Sequence, residues 1–273
     1  MGKISREGLW KMQVSDLGQQ LLLCSDVDAG FLLPERVLSK QVAHIKGMQI
    51  FDIGPDNSEI MELYDTFNLA PNIILRRYLD KFHLLTRTDD TESRQKVIDT
   101  FFGLIAREYE SLIDVQRNID NIRTLLQFIK ELADLPEGST IVDYGCGTGL
   151  SIQLALEFNI TLIGVDSCPT MRQIARSRGM ITLSIGELAR KPNNSLNGAI
   201  ASYVFHLLSQ PHGLRLLWSR LKPKGVIVAN FHKNQGIEMV NSYIEELKGS
   251  VQLLKSPNGF ERHGTYIAYL KKG

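Results

Sequence analysis

The chain reads as a doubly wound α/β domain with a mostly parallel sheet, preceded by a mainly helical N-terminal module. Three observations predict this. From Ser139 onward short apolar runs alternate with helical stretches, the pattern of parallel strands joined by crossover helices. The first run ends in I-V-D-Y-G-C-G-T-G-L, residues 141–150, a strand turning sharply through three alternating glycines into a helix. Residues 1 to about 135 have no strand–glycine–helix signature and show helical spacing instead.

The elements follow in order. Strands are predicted near 140–144, 160–165, 180–185, 198–203 and 225–231, with helices near 149–158, 169–178, 210–221 and 236–247. Val251 to Lys255 and Thr265 to Leu270, separated by P-N-G at 257–259, read as two further strands joined by a turn. In the N-terminal part Ile60, Leu63, Tyr64 and Phe67 share a helical face, as do Ile98, Phe101, Phe102 and Ile105. D-N-S-E at 56–59 and T-E-S-R at 91–94 look like helix starts. Pro34, Gly47, Pro55 and Pro71 punctuate the earlier region, and T-R-T-D-D-T-E-S at 86–93 is the best linker. The expected division is therefore 1–92 and 93–273.

The glycine turn implies a ligand. Gly145, Gly147 and Gly149 remove the β-carbons from one side of the turn, and a helix starting there points unpaired N–H groups above the strand end. Asp166 closes the second strand, roughly 20 residues on, where an acid can grip ribose hydroxyls. An adenosine-containing ligand is expected. The dinucleotide fingerprint G-x-G-x-x-G fails in both registers, because its last position falls on Leu150 or Ile152. Asp143 stands directly before the turn, where it repels pyrophosphate and suits an ammonium group. S-adenosylmethionine has that group and no phosphate.

On these segments the chain resembles the class I S-adenosylmethionine-dependent methyltransferases, from roughly Thr100 to the C-terminus. I-V-D-Y-G-C-G-T-G is similar to the family's first motif and T-L-I-G-V-D-S-C-P-T-M to its second. S-I-G-E-L resembles the segment after the third strand, N-S-L-N-G-A-I-A-S-Y-V-F-H-L-L the fourth strand, and R-L-K-P-K-G-V-I-V-A-N the turn into the fifth. The resemblance implies a Rossmann-like seven-stranded sheet ending in an antiparallel pair, with S-adenosylmethionine as cofactor. It also implies that Tyr109, Asp143, Gly145, Cys146, Gly147, Asp166, Ser167, Met171, Glu187, Leu188, Ser202 and Tyr203 form the cofactor site. Asn197 departs from the family, which most often has aspartate there, and the segment between Gly186 and Asn194 is shorter than usual.

Several of these residues have a second reading. Asp143 lies by the methionine ammonium or stabilises the turn. Asp166 binds ribose or caps a helix. Met171 covers adenine or packs in the core. Glu187 meets adenine or is a solvated acid, and Tyr109 covers the methionine end or is a core tyrosine. Tyr203 and His206 are the candidate catalytic residues, His206 as a base; the family gives the corresponding histidine no uniform role. Cys146 and Cys168 fill small apolar space.

Composition and absences narrow the field. Hydrophobic residues at 43% and charged residues at 22% fit a globular soluble protein rather than a disordered one. Lys plus Arg of 31 against Asp plus Glu of 30 gives a formal net charge of +1, so nucleic acid is disfavoured as a partner. Three scattered cysteines make neither a disulfide framework nor a zinc site. No run approaches membrane-spanning length and no signal-peptide core opens the chain, so a cytoplasmic location is expected. S-D-V-D-A-G at 25–30 lacks the third acid and closing glutamate of a calcium loop and reads as an ordinary loop. Arg76 and Arg77 read as a solvated helix face. Without the (D/N)-P-P-(Y/F) segment of adenine N-methyltransferases, the Pro-Cys of cytosine enzymes or an acid cluster for magnesium, a small-molecule or small-peptide acceptor remains. The helical module would serve as its lid. No metal is expected. The alternatives are an RNA methyltransferase, with the N-terminal helices as RNA module, and a catalytically silent methyltransferase-like protein. Oligomeric state is left open.

Overall fold

Leu21–Ser25 (β1) is buried at every position, which a strand achieves when both of its faces are covered. The computed structural model describes residues 20–45, 47–55, 58–68, 70, 72–79, 81–87, 89–133, 135–205, 212–231, 234–256 and 263–272. It overturns the helical N-terminal module. Gln41–Ile45 (β2), Met48–Asp52 (β3), Ile73–Tyr78 (β4) and Phe82–Arg87 (β5) join β1 in a five-stranded sheet of order β2-β3-β1-β5-β4. The β1–β5 pair is parallel and the other pairs are antiparallel.

The helices of this unit are Asp26–Leu32 (α1), Glu35–Leu38 (α2), Ser58–Asn68 (α3), Thr91–Ile105 (α4) and Tyr109–Leu112 (α5). Leu22 and Cys24 pack with Ile60, Leu63 and Phe67 of α3, while Leu21 and Leu23 pack with Val97, Phe101 and Ile105 of α4. Covered on both faces, the central strand has no alternation of polar and apolar residues, and a short buried strand is then indistinguishable from a helical segment by period. The same region corrects two smaller expectations. Residues 26–30 belong to α1, capped by Ser25 through Asp28 N–H at 3.0 Å, rather than to a loop. Arg76 and Arg77 stand on β4, not on a helix.

The two compact units divide between Leu112 and Ile113, not near residue 92. The supposed linker at 86–93 ends β5 and begins α4, and Asp90 caps that helix by accepting from Ser93 N–H at 2.9 Å. The apolar face of α4 commits it to the first sheet, which moves the boundary past it.

The second unit holds the predicted sheet. Thr140–Tyr144 (β6), Thr161–Val165 (β7), Ile181–Leu183 (β8), Leu196–Ala201 (β9), Leu221–Phe231 (β10), Ser250–Leu254 (β11) and Thr265–Leu270 (β12) run in the order β11-β12-β10-β9-β6-β7-β8. Strands β6 to β10 pair in parallel, and β12 is antiparallel to both β10 and β11. Successive residues feed opposite faces. Ile141, Leu162, Ile200 and Val228 pack with Val115–Leu132 (α6), whereas Val142, Ile163, Ala199 and Ile227 face the other side. That second face packs with His212–Arg220 (α9) and Asn234–Glu246 (α10). Pro169–Ser177 (α7) and Ile185–Ala189 (α8) complete the helices. The helix expected at 149–158 is a short 3₁₀ turn, Leu150–Leu154, entered from Gly149 in the left-handed region and closed by a reversal at Asn159.

Candidate cofactor site at the β6–β9 crevice

From β6 the chain proceeds outward to β7 and β8 on one side, then returns to β9 and β10 on the other. The carboxyl ends of β6 and β9 therefore flank a topological switch point, where open α/β sheets bind ligands.

The β6 side is bare main chain and carboxylate. Gly145, Gly147 and Gly149 have φ of 78°, 52° and 82°, which a β-carbon disfavours. Space enforces the same choice. A β-carbon at Gly145 would lie 2.3 Å from a methyl of Val204, and one at Gly149 would lie 2.8 Å from the Ala175 β-carbon. The N–H groups of Gly145 and Cys146 donate to Val165 O at 2.6 and 3.1 Å, which folds the turn back onto β7. Cys146 is buried against Ala175 and Met180, and burial pushes its thiol pKa up.

Asp166, half-buried at the end of β7, accepts from Gly147 N–H at 2.9 Å with one oxygen and from Cys168 N–H at 2.8 Å with the other. It thus fixes the glycine turn as well as standing beside it. Arg172 Nη1 donates to the main-chain oxygens of Asp166 and Ser167 at 2.6 and 2.8 Å. Asp143 is only 2% exposed and accepts from Ser151 Oγ at 2.5 Å. Burial is the largest influence on its pKa, which is raised to about 6; the Ser151 hydrogen bond opposes the rise and the charge of Asp166 adds to it. Among the described residues no cation pairs with Asp143.

The β9 side presents hydroxyl, carboxamide and imidazole groups. Ser202 Oγ accepts from Asn121 Nδ2 at 2.8 Å, and Tyr203 N–H donates to Asn230 Oδ1 at 2.9 Å. The Tyr203 hydroxyl lies 2.5 Å from His263 Nδ1.

The remaining expected residues are placed as follows. Glu187 forms a capping box with Ser184, whose N–H donates to its carboxylate at 2.6 Å. That hydrogen bond lowers its pKa. Leu188 is fully buried in the core and Met171 is buried at 1% exposure. Tyr109 belongs to the first unit, its ring edge-on to Phe102 at 6.2 Å. His206 lies outside the described residues. The structure therefore gathers Asp143, Gly145, Cys146, Gly147, Asp166, Ser167, Ser202 and Tyr203 at one sheet edge. Sequence reading missed Ser151, Asn121, Asn230 and His263. Asn230, ending the apolar run V-I-V-A-N, carried a signal: a polar residue in a buried strand needs a partner. Asn197 proves structural, its oxygen accepting from Thr140 N–H at 3.1 Å and Lys222 Nζ at 3.3 Å.

Fold and crevice together define an α/β domain of the doubly wound type with its crevice at a topological switch point. Residues 115–234 match the family described as a methyltransferase domain. The chain is 27% identical over 93 residues to an uncharacterized methyltransferase of Anoxybacillus flavithermus, covering 33% of this chain and 42% of the relative. It is 35% identical over 80 residues to the tRNA (carboxymethyluridine(34)-5-O)-methyltransferase of Schizosaccharomyces pombe, covering 29% and 34%. The chain thus spans less than half the length of these curated relatives. A crystal structure from Thermotoga maritima, described as a possible histamine N-methyltransferase, is 22% identical with a TM-score of 0.45, covering 63% of this chain and 99% of that one.

The cofactor of such domains is S-adenosylmethionine, and the residues present fit it. The turn at Gly145 has no room for a β-carbon, Asp166 stands at the end of β7 beside the turn, and Asp143 is a buried acid that no cation among the described residues pairs with. Among the described residues no group of His, Cys, Asp or Glu could hold a metal, and no helix is long and apolar enough to cross a membrane.

Proposed function

We propose that the chain transfers a methyl group from S-adenosylmethionine to an oxygen or nitrogen of a small molecule, a metabolite, natural product or small modified peptide. The observation that carries this reading is the carboxylate of Asp143, which no cation among the described residues pairs with, beneath a turn built on three glycines, with Asp166 across it. A phosphate-bearing ligand would meet two acids there. A ligand with an ammonium group supplies the missing cation.

Asp166 would hold the ribose hydroxyls, Gly145 and Gly147 would present main chain, and the Asp143 end would receive the amino-acid tail. S-adenosylmethionine, when bound, supplies a methyl group on a positively charged sulfur. The protein then has to align the acceptor and exclude water; orientation alone is worth on the order of 7–11 kcal/mol in intramolecular reactions. Tyr203 is the described residue best placed to face the acceptor.

A second reading, an RNA methyltransferase, is favoured by the tRNA methyltransferase activity for which the Schizosaccharomyces pombe relative is named. The formal net charge of +1 supports the small-molecule reading instead. Incubating the full chain with methyl-labelled S-adenosylmethionine and a cell extract separates the two. Label should appear in the low-mass fraction, with little dependence on salt. Label in RNA, with affinity falling steeply as salt rises, would replace this reading with the second; no transfer to any fraction would leave a binding protein.

A further inference from the structure

β9 ends at Ala201, and the chain then turns across the mouth of the crevice. Tyr203 makes that turn with φ 58°, in the left-handed region. A residue with a side chain stays there only when its surroundings over-determine it. Those surroundings are specific. The Tyr203 N–H is held by Asn230 Oδ1 at 2.9 Å and its hydroxyl by His263 Nδ1 at 2.5 Å, and the two rings lie 6.3 Å apart. The next residue, Val204, occupies the space that Gly145 leaves open.

Asn230 is the hub. It is fully buried, and its oxygen accepts from Tyr203 N–H and from Asn121 Nδ2, the latter at 3.1 Å. Its amide nitrogen donates to His263 O at 2.8 Å. Asn121, equally buried on α6, donates to Ser202 Oγ and accepts from the Tyr266 hydroxyl at 2.7 Å. Two carboxamides therefore lock α6, β10 and β12 to residues 202–203 and to His263. Burying such groups is costly unless each polar atom is used. Here that bonding holds residues 202 and 203, the left-handed Tyr203 among them, beside the glycine turn.

We propose that Asn230 and Asn121 are positioning residues. They fix Tyr203, with His263 as the partner of its hydroxyl, as the wall of the crevice against which the methionine end of the cofactor and the acceptor are aligned. The inference rests on the methyltransferase reading but concerns residues that reading does not require.

Its test needs no acceptor. S-adenosylhomocysteine binding to the full chain is measured by calorimetry for the wild type, Tyr203→Ala, Asn230→Ala and the double variant, each with its unfolding midpoint. If Asn230 acts through Tyr203, each single change weakens binding about tenfold and the double variant binds no worse than Tyr203→Ala. Independent effects that multiply in the double variant, or wild-type affinity in a folded Asn230→Ala protein, would overturn the proposal. Should Asn230→Ala fail to fold, Asn121→Ala carries the test: a threefold loss, on the order expected for one hydrogen bond, that disappears in the Tyr203→Ala background. A loss that persists there overturns it. Failure of the wild type to bind S-adenosylhomocysteine would instead remove the parent reading, and this inference with it.

Discussion

On the β6–β7 side of the crevice two carboxylates meet a turn built on three glycines; on the β9–β10 side the chain is held by two carboxamides, an imidazole and two phenols. The first side is electrostatically unfinished, since among the described residues no cation pairs with the buried Asp143, whose pKa is raised to about 6. The second is finished, with carboxamides bonded to the segments they hold. A charged wall gains stability when a complementary ligand arrives, whereas a wall held by hydrogen-bonded carboxamides keeps its shape whether or not one does. Substitutions at the acids of the first side should therefore cost the most affinity, and those on the second a smaller loss through misalignment.

The largest effect is expected at Asp166. Its replacement by Ala removes the candidate ribose contact together with hydrogen bonds to Gly147 and Cys168. S-adenosylhomocysteine affinity, measured by calorimetry, should fall at least a hundredfold, about 3 kcal/mol. Affinity within threefold of wild type would take the ligand off this side. Next comes Gly145→Ala, which places a β-carbon 2.3 Å from Val204 at φ 78°. Denaturant unfolding should show a loss of about 2 kcal/mol, with weakened binding because the two sides meet at this contact.

Asp143→Asn should separate stability from binding. The folded-state pKa of Asp143, about 6, lies above its ordinary 3.8. The stability it contributes is thus complete below about pH 4 and is lost as the pH rises through 6. The Asn variant escapes that loss. It should match the wild type near pH 4 and exceed it at pH 7.5 by about 3 kcal/mol, while binding S-adenosylhomocysteine more weakly. Equal denaturation curves at both pH values would show that Asp143 is not buried as an unpaired acid. The smallest effect is expected at Glu187, whose carboxylate is occupied by the Ser184 cap. Glu187→Ala should lower the unfolding midpoint slightly and leave affinity within threefold. A tenfold loss would instead place this residue on adenine.

The two units differed sharply in how much of them could be read from sequence. In the second, glycines after β6 and helix-length spacers between apolar runs set strand type and order, so β6 and β12 were expected with the bounds observed. In the first, β1 is buried on both faces by α3 and α4, and its apolar run carries no period to distinguish it from helix. The helical face of Ile60, Leu63 and Phe67 was legible and true, but it implied nothing about the sheet beneath it. In the site, glycines and acids were legible because their local chemistry is unusual for a strand end. The Asn121–Asn230–His263 network was not, since its members are more than thirty residues apart in sequence and meet only through the sheet order. Asp143 illustrates the middle case: its position was readable, its burial against Ser151 was not.

The most direct measurement is a competition on the full chain between S-adenosylhomocysteine and NAD, followed by calorimetry. The account predicts that S-adenosylhomocysteine binds, that NAD neither binds nor displaces it, and that Asp166→Ala abolishes the signal. Binding of NAD, or binding of S-adenosylhomocysteine that survives Asp166→Ala unchanged, would contradict a sulfonium-nucleoside site at the junction of β6 and β9.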